Sequence, residues 1–223
     1  IALCGVTFAY SQTTPTWQDI TPKGWSGDFK FLEYFDGNGL LAIADNGYFY
    51  HSTDTAKTWT IEPSPVGAVW GIEVYPDRKR ALIYSGKKLY RTTDAAKTWQ
   101  EITLKGMPSD MYIHNIYIKN EDTVFACTGN NLNGRNIFLS PDKGETWTQV
   151  AERLYGTSSF YYVTDFYFAT PAHGYALGVS YYMETFDGGT TWTKTTMDLD
   201  TYFHSVLEIE GHPTIVALNG YSG

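Results

Sequence analysis

The chain has 223 residues, a net charge of -8 and a sequence pI near 5.0, a balance that repels phosphate backbones and anionic headgroups and argues against nucleic acid as a partner. Tyr, Phe and Trp make up 17% of it, and 21 Gly and 9 Pro interrupt them. Aromatic strand formers broken by frequent turn residues predict an all-β protein.

In chain order, Ile1 to Tyr10 is apolar and leads through Ala9-Tyr10-Ser11 into the polar Gln12-Thr13-Thr14-Pro15. A small-x-small triplet after an apolar stretch reads as the back half of a signal peptide, too short to span a bilayer, which takes roughly 20 residues. Residues 1–12 are therefore expected to be a leader remnant cut near Ser11, and 13–223 the domain. The expected location is secreted, periplasmic or on a bacterial cell surface. Removing the leader and its Cys4 leaves Cys127, in the apolar run Val124-Phe125-Ala126-Cys127, where a buried thiol acts as a small hydrophobe.

Next comes Thr16-Trp17-Gln18-Asp19-Ile20-Thr21-Pro22-Lys23-Gly24, a near copy of Thr98-Trp99-Gln100-Glu101-Ile102-Thr103-Leu104-Lys105-Gly106. Four further segments superimpose: Ser52-Thr53-Asp54-Thr55-Ala56-Lys57-Thr58-Trp59, Thr92-Thr93-Asp94-Ala95-Ala96-Lys97-Thr98-Trp99, Ser140-Pro141-Asp142-Lys143-Gly144-Glu145-Thr146-Trp147 and Thr185-Phe186-Asp187-Gly188-Gly189-Thr190-Thr191-Trp192. Their aspartates stand 40, 48 and 45 residues apart. Self-similarity at such a period marks a repeat architecture.

Between these segments the sequence predicts four short strands per repeat, A to D. The second unit reads as Val69–Tyr75, Ala81–Ser85, Lys88–Thr92 and Trp99–Thr103; the third as Tyr112–Ile118, Thr123–Thr128, Asn136–Ser140 and Trp147–Val150. A fourth runs from about Tyr162 to Met197, and Phe203–Glu210 with Pro213–Leu218 begin a fifth. Asp36-Gly37-Asn38-Gly39 is an A-to-B turn rather than a calcium loop, because Leu40 stands where an oxygen ligand is needed.

The pattern Ser/Thr-x-Asp-x-Gly-x-Thr-Trp resembles the Asp box, or BNR repeat, of sialidases, sortilin-type receptors, xyloglucanases and photosystem II assembly factors. The resemblance implies a β-propeller of four-stranded antiparallel blades, about four and a half of them present and truncated from six or seven. The Trp17 segment then serves as a strand D that closes the ring. Asp54, Asp94, Asp142 and Asp187 are expected to be structural acceptors in the C-to-D turns, and Trp59, Trp99, Trp147 and Trp192 to pack between blades. Ala56 and Ala96 replace the box glycine, so either those turns differ or each carries left-handed strain, and Ala56→Gly is expected to stabilise the fold.

Alternating strand direction puts the boxes on one face with the A-to-B turns, and leaves the B-to-C and D-to-A loops to carry function. Arg78-Lys79-Arg80 then decorates a solvated turn on the box face. Trp25 and Trp70 lie at D-to-A loops on the other face. Asn130, Asn131, Asn133 and Arg135 form the longest B-to-C loop, and Tyr155, Tyr161, Tyr162, Tyr181 and Tyr182 come from the next blade. These residues either bind a protein or glycan through planar hydrogen bonds and stacking, or pack and turn.

No catalytic set assembles. The sialidase Arg-Ile-Pro motif is missing, the first of five arginines is Arg78, and Asp28, Asp110, Asp165, Asp198 and Asp200 are loop carboxylates that nothing pairs. His-Glu-x-x-His, a cysteine pair and Gly-x-Ser-x-Gly are also missing, so no metal or cofactor is expected. The basic patch of the assembly factors is not evident either. The leading expectation is a non-catalytic module binding a protein or glycan at the loop face; the alternative is an exported glycoside hydrolase with part of its site in further blades.

Overall fold

A computed structural model describes residue 19 and residues 21–130, 134–151, 163, 165–178, 181–196, 202–208 and 215–220. The leader, Trp17, Asn131, Asn133, Tyr155, Tyr161, Tyr162, Asp198 and Asp200 lie outside them. Every regular element among the described residues is a strand. Blade 1 is β1 (Phe29–Phe35), β2 (Gly39–Ala44), β3 (Tyr48–Ser52) and β4 (Thr60–Pro63); blade 2 is β5 (Gly71–Val74), β6 (Ala81–Ser85), β7 (Lys88–Thr92) and β8 (Gln100–Ile102). Blade 3 is β9 (Tyr112–Ile118), β10 (Val124–Asn130), β11 (Gly134–Ser140) and β12 (Thr148–Ala151), and blade 4 is β13 (Asp165–Phe168), β14 (Gly174–Leu177), β15 (Tyr181–Thr185) and β16 (Thr193–Thr196). A two-stranded sheet, β17 (Tyr202–Glu208) and β18 (Ile215–Gly220), follows.

Each blade is an antiparallel meander in chain order. The first strands of successive blades, β1, β5, β9, β13 and β17, touch one another in turn, which makes them the inner strands of a β-propeller. The period-2 alternation of strand side chains builds the core between blades. On β5, Ile72 and Val74 face blade 1, in a cluster with Leu41, Ile43 and Phe49. Tyr75 faces blade 3, in a cluster with Ile113, Ile116, Val124 and Trp147. Phe125, Cys127, Phe166, Met183 and Trp192 fill the next seam.

The four Asp-centred turns have one geometry. In blade 3, Asp142 Oδ1 accepts from the Thr146 N–H (2.8 Å) and from Ser140 Oγ (2.8 Å), Oδ2 accepts from Thr146 Oγ1 (2.7 Å), and the Gly144 N–H donates to Ser140 Oγ (2.8 Å). Asp54, Asp94 and Asp187 repeat the arrangement with Thr58, Thr98 and Thr191. The alanine turns do not differ: Ala56 (φ 65°) and Ala96 (φ 64°) stand in the left-handed region beside Gly144 and Gly189. Ala95 N–H donates to Lys79 O, Lys143 N–H to Asp122 O and Gly188 N–H to Ala172 O, so the turns of blades 2, 3 and 4 are each tied to the A-to-B turn of their own blade. The Arg78-Lys79-Arg80 run lies there as well, with Lys79 paired to Asp36 and Arg80 to Asp77 and Glu121.

Two departures from the expected strands bear on the loop face. The β10–β11 ladder continues to Asn130↔Gly134, with Arg135 paired to Gly129, so Asn130 and Arg135 are strand positions rather than parts of a long open loop. The inner strands also carry β-bulges. Pairing skips Lys30 on β1, His114 on β9 and His204 on β17, near the loop-face start of each strand.

Candidate functional site

The loop face between blades 2 and 3 is built around one of these bulges. A bulge re-aims a residue of the strand; here the His114 carbonyl, at the bulge, accepts a hydrogen bond from Tyr84 Oη of blade 2 at 3.1 Å. Tyr84 reaches across because residue 71, on the paired strand, is glycine: a Cβ there would overlap the Tyr84 hydroxyl. The Ile113 N–H donates to Gly86 O in the B-to-C turn (2.7 Å), a second tie across the same seam.

These ties hold the rings of Tyr112 and His114 against Trp70. The Trp70 and Tyr112 centroids are 6.2 Å apart with planes 11° from parallel, and His114 lies 6.4 Å from Trp70 at 26°. Trp70 remains 48% exposed and Tyr112 42%, so the cluster is fixed from below and open above. Lys87 Nζ stands 5.1 Å from the Tyr112 ring centroid, within cation–π range. Beside it runs a cavity of about 440 Å³ lined by Lys87, Glu101, Leu104, Met107, Ser109 and Met111, among others. Glu101 accepts from Tyr90 Oη (2.9 Å), and the buried Asn136 amide contacts Met111 Sδ (3.8 Å), which ties the blade 3 hairpin to the cavity wall.

Deeper on the inner strands lies a group of carboxylates. Burial, then the charges of Glu33 and Asp165, push the Glu73 carboxyl up to about 7. Burial also raises Glu33, against the pull of Arg78. Burial and the charge of Glu73 raise the Tyr84 hydroxyl, which stays protonated as a donor. A carboxyl whose pKa is raised toward neutrality has the character of a general acid. Among the described residues no group of His, Cys, Asp and Glu is placed to hold a metal ion.

Of the residues singled out in sequence, the structure brings Trp70 into this cluster. Trp25 is 45% exposed, and its ring pairs with Phe29 (5.6 Å) on blade 1. Tyr181 is fully buried with Cys127, Ile137 and Phe166, and Gly178 leaves room for its ring, so Tyr181 fills the seam between blades 3 and 4. Tyr182 is half-buried, 6.2 Å from Tyr175. Trp147 is buried and donates its Nε1–H to Gly144 O, as Trp192 does to Gly189 O; Trp99 and Trp59 pack against clusters in blades 2 and 1. Sequence reasoning missed Tyr84, Lys87, Tyr112, His114 and Glu73. One signal was legible: counting back from the A-to-B turn puts Glu33 and Glu73 at equivalent places on consecutive inner strands, where Tyr117 and Tyr167 follow.

No family model matches the chain. Over 78 residues, 33% of its length, it is 35% identical to the vacuolar protein sorting/targeting protein 10 of Sordaria macrospora, of which it spans 5%. Among solved structures it is similar to YCF48 bound to D1 peptide (TM-score 0.68, 15% identity), covering 92% of this chain and 67% of that one. YCF48 from Cyanidioschyzon merolae follows (0.63, 13%; 89% and 69%). A GH74 xyloglucanase from Xanthomonas campestris is also similar (0.56, 14%; 76% and 30%). At these identities the likeness is one of fold, the β-propeller. No helix among the described residues is long and apolar enough to cross a membrane.

Proposed function

We propose that this chain is an exported member of the Asp-box propellers and acts as a non-catalytic binding module, its ligand site on the face of the B-to-C and D-to-A loops. The observation that carries the reading is the Trp70–Tyr112–His114 cluster: large rings held open to solvent by a bulge, a cross-blade hydrogen bond and a glycine. Rings fixed in place but exposed are the anchors of interfaces, because little entropy is lost when they are covered. The shared geometry of the four Asp turns supports the family assignment. The Ala9-Tyr10-Ser11 triplet supports export. YCF48, the fold neighbour described with a peptide, supports a protein ligand.

The test is binding of peptide and glycan arrays by the protein, by Trp70→Ala and by Lys57→Ala on the box face. The expected result is a ligand lost with the first and kept with the second. A second reading, a glycoside hydrolase, is favoured by Glu73, whose carboxyl is poised near neutrality between Glu33 and Asp165. Glycan hydrolysis that Glu73→Gln abolishes would overturn the binding module in its favour.

A further inference from the structure

On the box face, the seams between the four blades join the same two positions. The residue before the first Ser or Thr of one Asp turn meets the residue after the glycine, or its alanine, of the next turn. Between blades 2 and 3, Arg91 Nη2 pairs with Glu145 Oε1 at 3.1 Å. Between blades 1 and 2, His51 and Lys97 line one cavity of about 400 Å³, and the Glu62 carboxylate beside His51 (2.9 Å) lines it too, so an anion faces the ammonium. Between blades 3 and 4, Leu139 and Thr190 line a cavity of about 490 Å³, where Lys119 donates to the Pro171 and Gly188 carbonyls (2.7 and 2.8 Å) instead of a carboxylate. Opposite charges meet in the first two seams, and two uncharged residues meet in the third. The residue after that first Ser or Thr also borders the next turn, Thr53 beside Ala95 and Pro141 beside Gly188.

Blade 4 presents the same positions on its far flank. On β15, Tyr181 and Met183 fill the seam to blade 3, so Glu184 faces the other way, toward the side on which β17 touches β13 and β14. Glu184 Oε1 accepts from Tyr175 Oη and lies against His173 Nε2, each at 2.8 Å. Phe186 is 68% exposed, its ring stacked on His173 at 4.6 Å and 10°. We infer that this flank seats one further Asp turn of the same propeller, and that this turn carries lysine or arginine directly after its glycine. Continuity of the seams supplies the occupant, because β17 and β18 carry the series of first and second strands past blade 4. The charges across the earlier seams supply the sign: Glu184 beside His173 matches a cation as Glu62 beside His51 matches Lys97. A glutamate in the incoming turn would set two carboxylates together, which is repulsive. Seating the turn also takes the Phe186 ring out of water.

The experiment extends the whole chain after Gly223 with a second copy of its own Lys88–Thr103, which supplies a third strand, an Asp turn with lysine after its alanine, and a fourth strand. Thermal unfolding is followed by circular dichroism. The extended chain is expected to melt about 4 °C or more above the chain without the copy. Lys97→Glu made only in the copy should remove about half of that gain, since an attraction becomes a repulsion. Glu184→Lys should do the same, measured against Glu184→Lys in the chain without the copy, and the two changes together should restore the gain. At the occupied seam between blades 2 and 3, Glu145→Arg is expected to lower the melting temperature and Arg91→Glu/Glu145→Arg to recover it.

A copy that leaves the melting temperature unchanged overturns the inference, as does a gain indifferent to the sign of the copied Lys97. Failure of the Arg91/Glu145 exchange to recover stability overturns the charge rule and the basic residue with it. A dimer of the unextended chain in sedimentation that Glu184→Lys disperses puts a second copy on the flank and overturns the further turn. Where Glu184→Lys unfolds the chain, Lys97→Glu in the copy, which lies outside blades 1 to 4, decides. The loop-face ligand stands apart from these outcomes, because Trp70→Ala tests it in binding rather than in melting.

Discussion

At the scale of single residues, the Asp turns concentrate the most chemistry in the fewest atoms. Asp142→Ala removes the acceptor for the Thr146 N–H, Thr146 Oγ1 and Ser140 Oγ, a loss expected to cost about 1–2 kcal/mol at an exposed turn, read from urea unfolding. For Asp54, the Thr58 N–H and then its hydroxyl hold the carboxyl down to about 2; for Asp187, the Thr191 hydroxyl and then its N–H do the same. Folded pKa values below the unfolded one mean that this stabilisation is whole above about pH 4 and is lost as pH falls toward 2. Backbone strain adds a second residue-scale effect. Thr55 (φ 59°) is an exposed β-branched residue in the left-handed region, where blade 4 has Gly188, whereas Ala96 buries its methyl completely. Thr55→Gly is expected to raise stability by about 1 kcal/mol, and Ala96→Gly to gain nothing, because the lost methyl offsets the relief. Thermal melts of the two variants check the contrast, and Ala56→Gly should fall between them.

At the scale of strands and turns, the Gly71–Tyr84–His114 tie is the joint that positions the aromatic cluster. Tyr84→Phe keeps the ring and removes one hydrogen bond to the His114 carbonyl, so about 1 kcal/mol of stability is expected to go with it. Gly71→Ala forces the Tyr84 ring aside, and the emission of Trp70 is expected to shift in both variants if the tie sets its environment. The strands themselves were largely legible from sequence: β6, β7 and β9 have the predicted bounds, because alternating apolar runs end at glycine and Asp-turn punctuation. The bulges were not. A bulge is a mismatch between two strands, and neither Ile113-His114-Asn115 nor its partner Cys127-Thr128 carries a local mark of it. The Asn130–Arg135 ladder was hidden for a related reason, since asparagines and glycines read as turn formers until pairing draws them into strands.

For the whole molecule, the half-buried Glu73 carboxyl on the inner strands adds its own dependence of stability on pH. The folded pKa of Glu73, about 7, lies above its unfolded value, so its effect reverses that of the Asp turns: the protein loses stability as pH rises from about 4.5 through 7, by at most about 3 kcal/mol. Glu73→Gln should flatten that slope in urea titrations at pH 5 and pH 8; an unchanged slope would show that the carboxyl ionises freely. The equivalent placement of Glu33 and Glu73 was legible in sequence, but the raised pKa of Glu73 and the Tyr84 tie were not, because both arise where strands far apart in the chain lean on one another across a seam. Trp70 was legible because it departs from the rule that places a tryptophan after each Asp turn.

Among the described residues the inner strands touch in succession, β1 to β5 to β9 to β13 to β17. Such a molecule behaves as a one-dimensional array in which each unit owes its persistence to the neighbours on its two flanks. Blades 2 and 3 each share a packed seam with a blade on either side. Amide hydrogen exchange should therefore be slow in β6 and β10, whose side chains fill those seams. The Trp70 cluster sits where these two blades meet, so it should come apart only when their common seam does.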